Sequence, residues 1–149
     1  MGKQSAAIRK QLERQVAKAT TMLVLEIDAN LRETTPVDTG NARAHWVPSV
    51  GAESPLDDHD AGVAAVLRYK LADGKAFISN HVPYISMLDL GHSRQAPAGF
   101  VEAAIARGLE TVQSRFDSLK IDLSATGGGT FSDAAGGAAA SNLASAYRP

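Results

Sequence analysis

Four histidines and their acidic neighbours are the residues of this chain whose types could support chemistry. His59 lies within Asp57–Asp60, an Asp-Asp-His-Asp run with the side chains of a metal site. Adjacent residues of a loop rarely converge on one ion, and neither the HExxH nor the EF-hand spacing occurs. We therefore interpret the run as a hydrated acidic loop. A metal-dependent hydrolase using His59, His81, His92 and nearby aspartates is the least favoured hypothesis.

Ser93 stands beside His92, but the pair does not have the arrangement of a hydrolase nucleophile. A triad needs its serine on a sharp turn with a histidine and an acid in reach, and sequence neighbours usually point apart. No GxSxG element occurs. The glycine run at Thr126–Gly129 lacks the Lys-Ser or Lys-Thr pair of a phosphate-binding loop. The sequence thus predicts no catalytic residue, no metal and no cofactor, and a protein that is not an enzyme.

Composition limits the remaining classes of function. The chain has 149 residues, which is enough for one domain with a modest core, and a net charge of -1, which gives no overall attraction to DNA or membranes. It has no cysteine, which excludes disulfides and fits a reducing compartment. No signal-peptide pattern occurs, and no apolar stretch approaches the roughly 20 residues of a membrane span. We expect a protein made in the cytoplasm with no membrane partner.

A long helix is predicted from about Ser5 to Thr34, because apolar residues recur every three or four positions. About 30 residues at a rise of roughly 1.5 Å would span about 45 Å, more than a compact domain of this size. One end should therefore project or contact another subunit. The residues of the apolar face are Ile8, Leu12, Val16, Ala19, Leu23, Ile27 and Leu31.

The first half of this helix is basic. Such a stripe is typical of a solvated helix face, and it also suits contact with DNA or with an acidic partner. No aromatic residue or glycine is interleaved with the basic ones, so DNA binding is the second hypothesis rather than the first. The candidate partner contacts here are Arg9, Lys10, Arg14 and Lys18.

Shorter elements follow the long helix. Asn41–Val50 should form a helical turn or a strand with Trp46 and Val47 inward, and Lys75–Asn80 a strand. Ala61–Ala72 should form a short helix, and Phe100–Ile121 a second long one. The residues of Ala61–Ala72 expected to face inward are Val63, Val66, Leu67 and Leu71.

We divide the chain into one domain, residues 1–121, and a tail, residues 122–149. The tail is rich in glycine, alanine and serine and cannot bury enough apolar surface to offset its chain entropy. It should be flexible unless a neighbouring subunit orders it. Its plausible anchors are Phe131, Leu143 and Tyr147.

Two turn sequences connect these elements. Pro36 ends the first helix, and Asp38, Thr39 and Gly40 form a tight turn in which the glycine can take a positive φ. In the second turn sequence Asn80 should cap the turn after its strand, Pro83 fixes φ before Tyr84, and Gly91 ends a short apolar helix. Pro97 lies near the first turn of the last helix. The loop between Gly91 and Pro97 displays four further candidate partner contacts, His92, Ser93, Arg94 and Gln95.

Taken in this order, the two turn sequences resemble those of the neck or tail-completion proteins of tailed bacteriophages. The match extends over about residues 5–120. His92, where such proteins often carry a bulky aromatic residue, and the Gly/Ala-rich tail depart from the pattern. The matching positions are Pro36, Val37, Asp38, Thr39, Gly40, Arg43, Asn80, Pro83, Tyr84, Leu88, Gly91, Ser93, Gln95, Ala96, Pro97, Gly99 and Phe100.

The resemblance implies an α+β fold, with the long N-terminal helix and the C-terminal helix packed on a small antiparallel β-sheet. It also implies a structural virion protein of the head–tail junction that forms a homo-oligomeric ring, with a hexamer favoured over a dodecamer. The implied partners are portal, adaptor or head-completion proteins on one side and tail-tube or terminator proteins on the other, with DNA nearby in the channel. Within such a ring, we expect the basic helix to meet an acidic surface of the next subunit, such as Asp57–Asp60.

Overall fold

The structure, a computed structural model, describes residues 2–55 and 57–123, with side chains up to residue 117. The chain divides into two units, Met1–Arg115 and Phe116–Pro149. The contacts described below all lie in the first unit. The predicted tail is outside the described residues from position 124 onward, and so are its three anchors.

The described chain contains five α-helices and a two-stranded antiparallel sheet, in which Val47 pairs with Ser79 and Val50 with Ala76. A single 3-10 turn, Leu71–Asp73, precedes the second strand. The predicted α+β fold, with long N- and C-terminal helices on a small antiparallel sheet, is confirmed. The elements are α1 (Gly2–Thr34), α2 (Asn41–Ala44), β1 (Val47–Val50), α3 (His59–Leu67), β2 (Ala76–Ser79), α4 (Ile85–Asp89) and α5 (Phe100–Leu123).

The hydrophobic core joins α1 to α5 around one tryptophan. Trp46 is buried as predicted, and its indole N–H donates a hydrogen bond to Thr35 Oγ1 at 2.8 Å, so its polar atom is satisfied. At Gly108 the two helices approach closely, since a Cβ there would lie 2.6 Å from Ile27 Cγ1. The members of the core are Ile27, Leu31, Trp46, Phe100, Val101 and Ala104.

α3 runs antiparallel to α1. At its start His59 Nε2 donates to Asp28 Oδ2 at 2.8 Å, and at its end the carbonyl of Val66 accepts from Thr21 Oγ1 at 3.1 Å. The helix begins two residues earlier than predicted because the carboxylate of Asp58 caps it, accepting from the amide of Ala61 at 2.9 Å. These contacts fix the start of α3 beside residue 28 of α1.

Two residues predicted to face inward on this helix are exposed. Val66 is fully buried, but Leu67 is 62% exposed and Leu71 is 47% exposed. α3 ends at Leu67, so the helical phase that predicted Leu71 inward stops four residues before it. Leu67 is the last residue of α3 and directly follows Val66. The prediction for Leu71 was wrong because it extended one helix over a helix and a 3-10 turn. The prediction for Leu67 was wrong because the buried face of α3 is that of Gly62 and Val66, from which the next residue is turned by about 100°.

The apolar face of α1 is buried over only part of its length. We call residues 2–18 the outer half and residues 19–34 the inner half. In the inner half Ile27 and Leu31 are each 2% exposed, whereas in the outer half Ile8, Leu12 and Val16 are 59, 40 and 47% exposed. All residues from 2 to 14 are exposed. The helix itself was predicted correctly apart from its start. Its outer half is only partly covered by the described part of the chain, where Leu71 lines the same groove as Ile8, Leu12 and Val16.

Candidate functional site

The two turn sequences, far apart in the chain, lie against each other. The backbone N–H of Val37 donates to Gln95 Oε1 at 2.9 Å, a contact across 58 positions. Asn41 Nδ2 donates to Tyr84 Oη at 3.1 Å. We call the surface formed by residues 36–41, 80–84 and 91–99 the turn surface. Sequence reasoning placed these residues in two turns but could not show that the turns form one surface.

The first turn is fixed to the end of α1. Gly40 takes the left-handed conformation expected of it, with φ at 83°. Arg43 Nη2 donates to the backbone carbonyls of Glu33 and Thr35 at 3.1 and 3.3 Å, and so satisfies oxygens that the end of a helix leaves without partners. The guanidinium of Arg43 thus holds the turn against the end of α1.

Asn80 connects the second turn to α2. Its Oδ1 accepts from the amide of Val82 at 3.1 Å, which is the predicted cap, and its Nδ2 also donates to the carbonyl of Ala42 at 2.8 Å. One half-buried side chain therefore shapes its own turn and binds the neighbouring one.

The end of α4 has the geometry of a Schellman motif. Gly91, with φ at 90°, donates to the carbonyl of Leu88 at 3.1 Å, and His92 donates through its amide to the carbonyl of Met87 at 3.2 Å. A Cβ at Gly91 would lie 3.0 Å from Cβ of Ala98. Glycine is required here both by the backbone conformation and by the close approach of the following loop.

Asp89 is a structural residue that the sequence analysis did not identify. Its carboxylate Oδ1 accepts from the amide of Val101 at 3.0 Å, and its carbonyl accepts from the amide of Gly99 at 2.7 Å. It thereby caps α5 from a position twelve residues away. The spacing matches no local capping signal, so only the folded chain shows the role. Pro97 lies three residues before α5 begins.

The loop after Gly91 divides into residues that hold it and residues that it displays. Ser93 Oγ accepts from the amide of Gln95 at 3.1 Å, and the side chain of Gln95 is engaged by Val37. His92 and Arg94 are exposed. Of the four candidate contacts on this loop, His92 and Arg94 are thus displayed, while Ser93 and Gln95 stabilise its shape. Pro83 and Pro97 are exposed on the same surface, and Ala96 is half-buried.

Three of the histidines bind three different neighbours. His59 contacts Asp28, His81 Nε2 donates to the carbonyl of Ser54 at 3.0 Å, and His45 Nε2 lies 3.6 Å from Asp57 Oδ2. Within the described residues, no group of three or more histidine, aspartate or glutamate side chains could hold a metal ion. Asp28, 4% exposed, was not identified from the sequence, although an acid between Ile27 and Leu31 on an apolar face was a visible signal.

The basic candidates lie on a different part of the molecule. Arg9, Lys10, Arg14 and Lys18 are all exposed on the outer half of α1. From Arg14 to Glu33, where the turn surface meets the helix, the rise along α1 is about 28 Å. The structure brings the turn motifs together, and it does not bring the basic stripe to them.

A shallow apolar groove runs along the outer half. Leu71 reaches it from the 3-10 turn, and that turn is held by the hydroxyl of Tyr69, which donates to the carbonyl of Gly74 at 2.7 Å. Burial, and after it the carboxylate of Asp73, raises the pKa of Tyr69 above its ordinary value. The groove is lined by Ser5, Ile8, Arg9, Leu12, Glu13, Val16 and Leu71.

A second exposed apolar surface adjoins the turn surface. Tyr84, Met87 and Leu90 are 42, 46 and 69% exposed, although Ile85 and Leu88 from the same segment pack on the core. Scattered exposed apolar residues are ordinary, but three of them at intervals of three residues make a contiguous strip.

Among the described residues, no helix is long and apolar enough to cross a membrane. Comparison of the chain with protein-family models, with curated proteins and with solved structures found no match.

Proposed function

We propose that this protein is a structural component of the head–tail junction of a tailed bacteriophage or a related particle, where it forms a ring that joins the tail to the portal assembly. The observation that carries the proposal is the meeting of the two family-like turn sequences in one surface, through the contacts of Val37 with Gln95 and of Asn41 with Tyr84. The two turn sequences that resemble those of neck proteins thus form one surface of the folded chain.

The construction of the turn surface suits a docking role. Positive-φ glycines, the Asn80 side chain and the Asp89 cap hold its loops, so that little conformational entropy is lost when a partner binds. Among its exposed members His92 and Arg94 are polar, as residues at the rim of a protein interface usually are. We assign to this surface the contact with a portal, adaptor, tail-tube or terminator protein.

The long helix supports a ring rather than a monomer. A ring of identical subunits needs two unlike surfaces on each subunit, and the described part of this chain has two separated exposed apolar surfaces. We favour six copies over twelve. The protein would be made in the host cytoplasm and retained in the virion, close to the DNA channel.

Electron microscopy of particles containing the chain, combined with native mass spectrometry of the purified protein, tests the proposal. We expect a ring of six copies at the head–tail junction. A ring of twelve would keep the function and move the protein to the head side of the junction. Absence of the chain from every particle produced by the genome that encodes it would contradict the proposal.

DNA binding by the basic stripe is the second candidate, and four exposed basic side chains on one helix favour it. A helix that neutralises about four phosphates should bind duplex DNA with a logarithmic salt slope of roughly -3.6. The apolar residues that alternate with the basic ones are less suited to a phosphate backbone than to a protein. A slope near zero, unchanged by Arg9→Glu, Lys10→Glu and Arg14→Glu together, would reject this candidate.

A further inference from the structure

We propose that the outer half of α1 docks head to tail on a second copy of the chain, against the strip formed by Tyr84, Met87 and Leu90 and its acidic edge. The inference deepens the proposed function, and it rests on that function for the identity of the ring the contact would build. It assigns the subunit-to-subunit interface to named surfaces.

The docking element combines an apolar stripe with positive charge. Ile8, Leu12 and Val16 follow one another at intervals of four residues, and together with Leu71 they expose the groove described above. Between positions 2 and 18 the chain carries five Lys or Arg residues and one Glu, a net charge of +4. A partner must therefore offer an apolar surface with an acidic edge.

Pairing of this stripe with the same stripe of another copy is disfavoured. Two outer halves packed face to face would place the two +4 segments along one interface, and like charges at such distances oppose association. The charge pattern thus selects an unlike surface as the acceptor.

The acceptor surface has the required acidic edge. Residues 53–60 contain four acidic residues and no Lys or Arg, a net charge of -4 that matches the docking element. Asp58 caps α3. The other three acids have exposed side chains and no backbone-capping role among the described contacts; they are Glu53, Asp57 and Asp60.

The acidic edge is continuous with the apolar strip. His81, three residues before Tyr84, contacts the carbonyl of Ser54 at 3.0 Å. Asp57 lies 3.6 Å from His45, whose Nδ1 donates to the carbonyl of Asn41 at 2.6 Å. The amide of the Asn41 side chain in turn binds Tyr84 Oη. One chain of contacts thus links Asp57 to Tyr84, the first member of the strip, and the contact of His81 holds Ser54, the neighbour of Glu53, on the same turn.

The two surfaces of one copy cannot meet each other. His59 fixes the acidic edge beside Asp28, which is sixteen residues along α1 from Leu12 and therefore about 24 Å away along the helix axis. Each copy consequently offers a docking element at one end of α1 and an acceptor toward the other. A contact between unlike surfaces repeats from copy to copy and closes into a ring when the rotation permits.

Disulfide trapping tests the contact, because the natural chain has no cysteine. Full-length Leu12→Cys and Met87→Cys proteins are mixed and oxidised, and the rate at which their disulfide-linked heterodimer forms is measured. The control mixture contains Gln11→Cys in place of Leu12→Cys. We expect the heterodimer to form about tenfold or more faster in the first mixture than in the control. Gln11 is exposed on the same turn of helix but does not line the groove. Equal rates for the two mixtures, or a dominant Leu12→Cys homodimer, would overturn the inference.

Charge exchange tests the acidic edge independently. Arg9→Glu, Lys10→Glu and Arg14→Glu, added to the Leu12→Cys protein, should lower the trapping rate about tenfold or more. Glu53→Lys, Asp57→Lys and Asp60→Lys on the Met87→Cys partner should restore it, while Asp58 is kept because it caps α3. Circular dichroism checks that both proteins are folded. If the first set of substitutions lowers the trapping rate and the second set does not restore it, the acidic edge is not the acceptor of the basic residues. The basic residues would then contact a different surface.

These experiments separate the two proposals. Trapping uses the purified chain alone, so a ring seen in particles without trapping between Leu12→Cys and Met87→Cys would reject this contact and keep the proposed function. Efficient trapping from a chain absent from all particles would keep the contact and reject the function. If residues 124–149 of the same chain covered the groove instead, deleting them would raise the reactivity of Leu12→Cys toward a thiol reagent, and this result would also overturn the inference.

Discussion

The two halves of α1 carry the same apolar period and have opposite environments. In the inner half Ile27 and Leu31 are part of the core, while in the outer half Ile8 and Val16 remain about half exposed at 59 and 47%. The period of a sequence therefore predicts a helix and the face that would be buried, but not which neighbour buries it. The difference between the halves marks the point along α1 beyond which the described part of the chain leaves most of the apolar face in solvent.

The inner half is held by polar contacts as well as by the core. Asn30 Nδ2 donates to the carbonyl of Ala104 at 3.3 Å, and Glu33 pairs with Arg107 at 3.1 Å. The first of these is buried and fixes the register of α1 on α5, whereas the second is exposed and contributes little. The outer half, by contrast, has the apolar groove, to which Leu71 is the contribution from outside α1.

The largest contrast should appear when the same isoleucine truncation is made in each half. Ile27→Ala removes a side chain that is 2% exposed, and we expect a loss of about 2–5 kcal/mol in the free energy of unfolding. Ile8→Ala should cost less than about 0.5 kcal/mol, because its side chain is largely in water in the monomer. Urea unfolding of dilute protein measures both. Similar losses at the two positions would remove the distinction between the halves.

A second comparison replaces a closely packed glycine of α3 and an exposed glycine of α1 by alanine. A Cβ at Gly62 would overlap the carbonyl oxygen of Pro48, whereas a Cβ at Gly2 would meet nothing within 4 Å. Gly62→Ala should therefore lower the free energy of unfolding by about 1–3 kcal/mol even though alanine is the better helix former. Gly2→Ala should leave stability unchanged or raise it slightly. Thermal unfolding followed by circular dichroism reports both values, and a stable Gly62→Ala protein would contradict the close contact of α3 with β1.

The turn surface belongs to the same body as the inner half, and Asn80 tests this. Asn80→Ala removes one accepted and one donated hydrogen bond, and we expect a loss of about 1–3 kcal/mol. Asn80→Asp keeps the acceptor for Val82 but places a carboxylate oxygen against the carbonyl of Ala42, so it should lose at least as much as Asn80→Ala. The matched control is Asn41→Ala, which removes an exposed contact to Tyr84 and should cost about 0.5 kcal/mol or less. A larger loss of unfolding free energy for Asn41→Ala than for Asn80→Ala would contradict the view that Asn80 holds the turn surface to the rest of the fold.

The smallest effect should come from Tyr69, near the outer half. Its pKa is raised in the folded chain, so its stabilising contribution is complete below the unfolded value of about 10 and is lost as the pH rises through the folded value. Between pH 9 and 11, the natural protein should lose more stability than Tyr69→Phe does. Urea unfolding across this pH range measures the difference, and parallel curves would show that the ionisation of Tyr69 is not linked to folding.

Much of the fold follows from local signals, and the site does not. The apolar period gave both long helices, and Pro36, Gly40 and Gly91 gave the turns, because each acts on its own backbone. The contacts of Asp28 with His59 and of Asp89 with Val101 join positions far apart in sequence, where no spacing rule applies. Leu71 was misplaced because α3 ends at Leu67, and Leu67 because the buried face of α3 is that of Gly62 and Val66.

Hydrogen exchange of α1 in dilute and concentrated protein tests the central claim most directly. An uncovered helical segment of this length is only marginally stable, so residues 2–18 should exchange quickly in dilute protein, while residues 24–34 exchange slowly. On concentration, residues 2–18 and the strip at 84–90 should both become protected, with residues 24–34 unchanged. Residues 2–18 that exchange slowly in dilute protein, or that exchange at the same rate in concentrated protein, would contradict the account.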